Sequence, residues 1–305
     1  MLNKNSLAYE LVEALTSGVG GADCFADGSL FTRFVDCGLP RNFVTGKAYQ
    51  GSNLIVLWVS MLTMGYGEGR WATYRQAEGK GGQVAKGSKG TQVIRVVAGL
   101  SKDQAGADPK NPRRYRSLKG FYVFNCRQID GIEALDMPKG FTGDAQADAV
   151  IDAIAGQGAK IDYTRDGCFY VPRLDEVCMP PRARFQSEAN FYRGIFHELA
   201  HWTGHESRLA RSLMHAANTP QYAREELIAD LTAALMCARL EIKGCMVEHH
   251  ASYMQGYIEI LEAEPVIIFD VLKEAQEAYN YLCKLAGLEE GEAVPEASDA
   301  EACEA

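Results

Sequence analysis

The stretch Phe191-Tyr192-Arg193-Gly194-Ile195-Phe196-His197-Glu198-Leu199-Ala200-His201 decides the reading of this 305-residue chain. Phe191, Ile195 and Leu199 form one apolar row at helical spacing, and Tyr192, Phe196 and Ala200 form a second, so the segment reads as a packed helix. Ser187 is the expected cap and Gly204 the expected end. On a helix, residues four apart share a face. His197 and His201 therefore offer two imidazoles to one ion, with Glu198 beside them. A catalytic zinc takes three protein ligands and keeps a fourth position for water. The ion lowers that water's pKa toward about 7, and a neighbouring carboxylate can take the proton. Glu198 suits that role and is not itself a ligand.

The third ligand must come from elsewhere. A metzincin would place a histidine three positions after Gly204, where Ser207 stands, so that pattern fails. His205 is a poorer candidate, because Gly204 turns the chain away from the helix axis. Downstream, Glu226-Leu227-Ile228-Ala229-Asp230 sets two acids one turn apart on a helix that Leu227, Leu231 and Leu235 mark as at least half buried. This matches the gluzincin arrangement. Glu226 is then the third zinc ligand, and Asp230 orients a ligand histidine from behind. Glu225 stands as the rival ligand, since sequence alone leaves the helix phase open.

The composition, 47% hydrophobic and 23% charged, is that of a globular protein with room for two domains. No signal peptide is evident, and the longest apolar run, 54–64, is too short for a bilayer; no membrane is expected. The nine cysteines form no CxxC pair and read as reduced thiols of a cytoplasmic protein. The net charge of -9 is unevenly spread. Residues 1–140 hold 18 Lys+Arg against 12 Asp+Glu, a net of +6, and the remainder nets -15. Between Gly65 and Arg127 there are 13 bases and 4 acids, which suggests that the first half meets a polyanion.

The expected organisation is α+β in two domains: a mixed α/β domain over 1–140 and a zincin-like domain over 141–287, with an acidic disordered tail over 288–305. The chain opens with an amphipathic helix through Leu7, Leu11, Val12 and Leu15. Residues 40–51 read as loop, and Asn53 as the cap of a helix over 54–64. Residues 79–90 read as loop or tight turns. Residues 91–98 and 121–125 read as strands, joined by a long polar loop over 101–119. A boundary is expected near 138–144, then a helix over about 145–155. Residues 160–179 form a β meander with a hairpin turn at Asp166-Gly167. A helix over 222–243 and two more around Pro265 complete the pattern.

In the first half, bases alternate with aromatics. Arg41 and Lys47 are followed by Arg70, Trp71, Tyr74 and Arg75, then Lys86 and Lys89, then Arg113, Arg114 and Arg116. Single-strand binders need this mixture, because cations track phosphates and rings stack on bases without regard to sequence. No GxxxxGK[ST] motif exists, so nothing supports an NTPase.

These residues resemble a known family. The stretches 38–42, 45–53, 70–77, 81–91, 124–129, 196–205 and 222–230 are similar, in family order, to the ArdC antirestriction proteins of conjugative plasmids and their mobile-element relatives. They are similar also to the N-terminal parts of plasmid TraC-type primases. The resemblance implies a single-stranded-DNA-binding domain followed by a zincin-like domain, and protection of incoming DNA from host restriction. It carries one zinc ion onto His197, His201 and Glu226, with Glu198 as the base. A working endopeptidase that cuts a host protein, restriction enzyme or other, is the alternative. Residues 18–36 depart from the family pattern in lacking a Trp-rich, proline-bearing sequence. With the chain stopping after the zincin region, no primase activity is expected.

Overall fold

In the computed structural model, the described residues are 38–66, 68–100, 114–133, 145–216, 219–244 and 251–289, with Tyr9, Val12 and Val35. A four-stranded sheet organises the first half. Its order is β1 (Arg41–Asn42), β2 (Arg70–Thr73), β5 (Arg114–Asn125) and β4 (Thr91–Leu100), with β1 parallel to β2 and the rest antiparallel. The β4–β5 ribbon runs from the Thr91–Val123 pair to the Leu100–Arg114 pair. Residues 114–119 are therefore strand, where their polar composition suggested loop. Pairing with the β-branched run of β4 overrides weak local propensity.

Trp71, Val93, Phe121 and Val123 share a core with Leu54, Leu57, Trp58 and Met61 of helix α1 (Gly51–Met64). Behind the sheet, Ala72, Phe124 and Ile129 pack with Ala77 of helix α2 (Tyr74–Gly79), beside the short pair β3 (Gln83–Val84) and β6 (Ile129–Asp130). Thr73 and Gln76 close α2 with a reciprocal capping box. The cap expected at Asn53 is not there, since α1 begins at Gly51. Asn53 is buried instead and its amide serves both backbone groups of Ile94, giving Nδ2 to the carbonyl and taking the N–H on Oδ1, each at 2.8 Å. It acts as a one-residue strand partner for β4.

The second half contains α3 (Ala145–Gly156), β7 (Lys160–Asp162), β8 (Phe169–Val171), β9 (Glu176–Cys178), α4 (Glu188–Thr203), α5 (Pro220–Arg239), α6 (Ala251–Ala263) and α7 (Ile267–Leu285). β9 is central, parallel to β7 and antiparallel to β8. The hairpin expected at Asp166-Gly167 lies instead between β8 and β9, where Asp175 takes a φ of 51°. Asp tolerates that left-handed backbone better than most residues. Ser187 does cap α4, accepting the N–H of Asn190, and Thr219 caps α5, with Pro220 in its first turn. Helix α4 lies on α5, β8 and β9, and α5 lies on α6 and α7.

Helix α1 packs against α7, and the Gly51 N–H reaches Gln276 Oε1 at 3.2 Å. The apolar residues of the two halves form one continuous core. No described helix is long and apolar enough to cross a membrane. Cys126, Cys178, Cys237 and Cys283 are buried and Cys168 is exposed, and none of these five is in a disulfide. The expected boundary at 138–144 and the acidic tail beyond 289 lie outside the described residues. Of the expected opening helix, only Tyr9 and Val12 are described, and both are helical.

Candidate metal centre

Helix α4 supplies His197, Glu198 and His201, and α5 supplies Glu225, Glu226 and Asp230. All six side chains are buried or nearly so. His197 Nε2 and His201 Nε2 face each other at 3.2 Å. Glu226 reaches the first with Oε2 at 3.3 Å and the second with Oε1 at 3.5 Å. A tetrahedral ion with bonds of roughly 2.0–2.1 Å requires donors roughly 3.3 Å apart. The three separations therefore suit such an ion. His197, His201 and Glu226 form the one group of three convergent donors among the described residues.

The outer nitrogens fix the rings. Asp230 Oδ1 lies 2.9 Å from His197 Nδ1, and Glu225 Oε1 lies 3.2 Å from His201 Nδ1. A proton on each Nδ1 leaves both Nε2 lone pairs turned inward, as metal ligation requires. Glu225, the rival ligand, thus faces the outer nitrogen of His201, while Glu226 faces both inner ones.

Each supporting carboxylate is itself held. Asp230, 0% exposed, accepts from Arg193 Nη2 at 2.8 Å and from Tyr257 Oη at 2.9 Å. Glu225 accepts from Arg211 Nε at 3.0 Å and Nη2 at 2.9 Å. Arg193, Arg211 and Tyr257 add to the residues that the sequence motifs name. Arg193 stands one turn before His197 on α4, so helical spacing alone signals it. Arg211 and Tyr257 arrive from a loop and from α6, and no motif marks them. Arg211 can approach because Gly204 has no side chain; a Cβ there would lie 3.0 Å from Arg211 Nη2 and 2.7 Å from Leu213 Cδ2.

Charge follows the same logic. Asp230 pairs with Arg193 and Glu225 with Arg211, which leaves Glu198 and Glu226 as two carboxylates in the buried site with no guanidinium partner of their own among the described residues. Buried charge needs a partner, and a divalent cation balances these two. Without one, the histidines carry the load. Burial opposes their charging, but Asp230 and Glu226 hold the His197 pKa well above its usual value, and Glu225 and Glu226 push that of His201 up to about 9. Burial works against the Glu226 carboxylate too, yet the two histidines pull its pKa below the usual range. Burial raises that of Glu198.

The site opens into a cleft of about 890 Å³, walled by Phe169 and Tyr170 of β8, Phe185, Met214 and Tyr222. In the sheet order β7–β9–β8, strand β8 is an edge. Tyr170 of this edge strand and Glu198 line the same cleft. His205 stands outside the donor group and pairs with Ser207 Oγ at 2.8 Å.

Residues 4–124 match the profile of the N-terminal domain of anti-restriction factor ArdC, and residues 145–274 match that of a zincin-like metallopeptidase. The crystal structure of the metal-free antirestriction ArdC protein from plasmid R388 is similar at a TM-score of 0.72 and 30% identity, over 94% of this chain and 98% of that one. The chain belongs to the ArdC antirestriction family. The Mn(II)-bound R388 ArdC structure matches at a TM-score of 0.68 and 32% identity, over 92% and 98% of the two chains. Two Escherichia coli proteins described as DNA primase TraC are 35% and 33% identical over 80% of this chain. The chain spans only 17% and 24% of their lengths. The Sinorhizobium fredii protein y4eC is 31% identical over 84% of this chain and 82% of its own. This ArdC-family chain thus combines an ArdC N-terminal domain with a zincin-like metallopeptidase domain, a fold that implies a metal ion.

The ArdC-type half treats the sequence candidates unequally. Trp71, expected as a stacking surface, is 0% exposed and sits edge-on to Tyr66 at 6.1 Å, so its ring is core. Its alternation on β2 turns it toward α1. Arg70 is likewise occupied: it pairs with Glu68 at 2.9 Å, donates to the Glu133 carbonyl at 2.7 Å and lies over Phe43. Arg41 donates to the Gly46 carbonyl at 3.1 Å. Lys47, Tyr74, Arg75, Lys86 and Lys89 are exposed. Arg114 and Arg116 lie on β5, but their side chains, like all of Arg113, are outside the described residues.

Proposed function

We propose that this chain binds single-stranded DNA and protects incoming mobile-element DNA from host restriction, and that its second half holds one zinc ion at a peptidase-type site. The observation that carries the reading is a three-donor cation site sharing one core with an ArdC N-terminal domain. His197, His201 and Glu226 are the proposed ligands. Their mixture of nitrogen and carboxylate donors suits zinc. The zinc would act as a Lewis acid on a substrate carbonyl and lower the pKa of a bound water. Glu198 would accept a proton on its carboxylate and return it to a leaving group. Burial helps by raising its pKa toward neutrality. Asp230 and Glu225 would hold the two imidazoles in register.

Coating is the leading mode of protection, since a restriction enzyme cannot reach wrapped bases. The cytoplasm is the proposed compartment. A second reading has proteolysis of a host protein do the work, with DNA serving for recruitment. The edge strand β8, which lines the cleft with Glu198, favours it, because an extended peptide can add to a sheet edge.

The deciding experiment is transfer of unmodified DNA through a restricting host. Under coating, Glu198→Gln protects as well as the wild type. If Glu198→Gln folds, keeps its zinc and binds DNA but fails to protect, coating is wrong and proteolysis stands. Duplex binding as tight as single-strand binding would remove the DNA reading itself.

A further inference from the structure

The large rings of the first half are mostly core: Tyr49, Trp58, Trp71 and Phe121 are all within 1% of full burial. Tyr74 and Tyr122 break the pattern, at 44% and 45% exposed. Both adjoin the same ladder pair. Tyr74 follows Thr73, Tyr122 precedes Val123, and Thr73 pairs with Val123 across the β2–β5 ladder. Tyr74 opens helix α2 at the end of β2, and Tyr122 lies one residue before that pair on β5.

Two glycines let neighbouring side chains pack closely beside Tyr122. A Cβ on Gly90 would lie 3.1 Å from Tyr122 Cβ, and one on Gly120 would lie 2.4 Å from Gln92 Nε2. Gln92, paired with Tyr122 on β4, can lie over Gly120 for that reason. Tyr74 is steadied by Gln83, whose Nε2 donates to its Oη at 3.0 Å. Its ring is therefore a partly fixed face rather than a loose one.

The charge nearby is of the right sign and is available. Gln128 ties down the 85–90 loop, taking the Ala85 N–H at 2.8 Å and giving Nε2 to the Lys89 carbonyl at 3.0 Å. Lys86 and Lys89 project from that loop into solvent, and neither has a carboxylate partner among the described residues. Arg70, by contrast, is neutralised by Glu68.

On the reading that the first half binds single-stranded DNA, we propose that Tyr74 and Tyr122 form its base-stacking platform, with Lys86 and Lys89 contacting phosphates beside it. Exposed rings stack on any base, and flanking cations supply the sequence-independent attraction. The rings supply preference for bases, and the lysines supply the salt dependence.

The test uses the full chain and three labelled probes read by fluorescence anisotropy: oligo(dT), an abasic oligomer of equal length and charge, and a duplex. Wild type should prefer oligo(dT) to the abasic strand. Tyr122→Ala and Tyr74→Ala should each weaken oligo(dT) binding by roughly tenfold or more and erase that preference, leaving the salt slope intact. Tyr122→Phe should bind like the wild type. Lys86→Ala with Lys89→Ala should flatten the salt slope and keep the preference. The platform is wrong if the alanine variants bind oligo(dT) as the wild type does, or if the wild type binds the abasic strand equally well. A wild type that binds no single strand at all removes the DNA reading, and the platform with it.

Discussion

The two halves of this chain handle polar chemistry in opposite ways. In the zincin-like half, four carboxylates, two histidines and two arginines are buried together, and nearly every outer atom has a protein partner. In the ArdC-type half, the cations and rings that remain available stand in water, and those that look most functional by sequence are consumed by the fold. Burial makes the first site sensitive to single atoms, because a lost partner leaves a charge stranded in a poor solvent. Exposure makes the second additive and forgiving, since each contact is weak and screened. Sequence motifs report the first kind well. They report the second badly, because composition does not say which cations are already paired.

The contrast sets the scale of what substitutions should do. His201→Ala should abolish stoichiometric zinc, measured by elemental analysis after gel filtration, whereas Glu198→Gln should retain about one ion per chain by the three-ligand logic. Equal loss in both would mean that Glu198 is a ligand.

The supporting carboxylates should come next. Asp230→Asn and Glu225→Gln should each weaken zinc binding by roughly 10- to 100-fold in a competition assay with a chromophoric chelator. Unchanged affinity for Glu225→Gln would show that the Glu225–His201 contact does nothing for the site.

Rings separate the halves in another way. Trp71→Ala should cost about 3–5 kcal/mol in urea unfolding, as removal of a core aromatic does. Tyr122→Ala should stay within about 0.5 kcal/mol of the wild type. A small loss at Trp71 would mean that its ring is not the packing element its burial implies.

The gentlest expected effect is that of pH. In chelated protein the His201 pKa, held up to about 9, exceeds its ordinary value of 6.5. Its contribution is therefore complete below about pH 6.5 and fades as pH rises toward 9. Glu226, held low, acts in the other direction: its contribution is present above about 4.5 and fades as pH falls. The urea midpoint of chelated protein should thus decline between pH 6.5 and 9. Zinc affinity should rise over the same span, because the imidazoles must shed protons to bind. A flat midpoint would argue that the histidines are not paired with these acids in solution.

Residue order carried the zincin-like half a long way. Helical spacing puts His197 and His201 on one face and Glu226 one turn from Asp230, and the cap at Ser187 is a local signal that survives folding. What it missed was non-local. Arg211 and Tyr257 reach the site only through tertiary packing. Asn53 reads as a cap because its role as partner to Ile94 depends on a strand 41 residues away. Trp71 reads as a ligand for bases because sequence places a ring between cations but does not say which face of β2 is inward. The 114–119 segment reads as loop because its strand character comes from β4.

The contact between α1 and α7 ties the fate of one half to the chemistry of the other. Leu54 and Trp58 share a core with residues of α5, and the backbone of Gly51 is fastened to Gln276. A ligand that binds only the folded form adds its free energy to every segment that unfolds with its site, about 2.7 kcal/mol at a hundred times its dissociation constant. If zinc is that ligand, it stabilises the platform of tyrosines as well as the helix that holds it. A cell short of zinc would then lose the proposed nucleic-acid binding through turnover of the whole chain, although no residue of the platform had been touched.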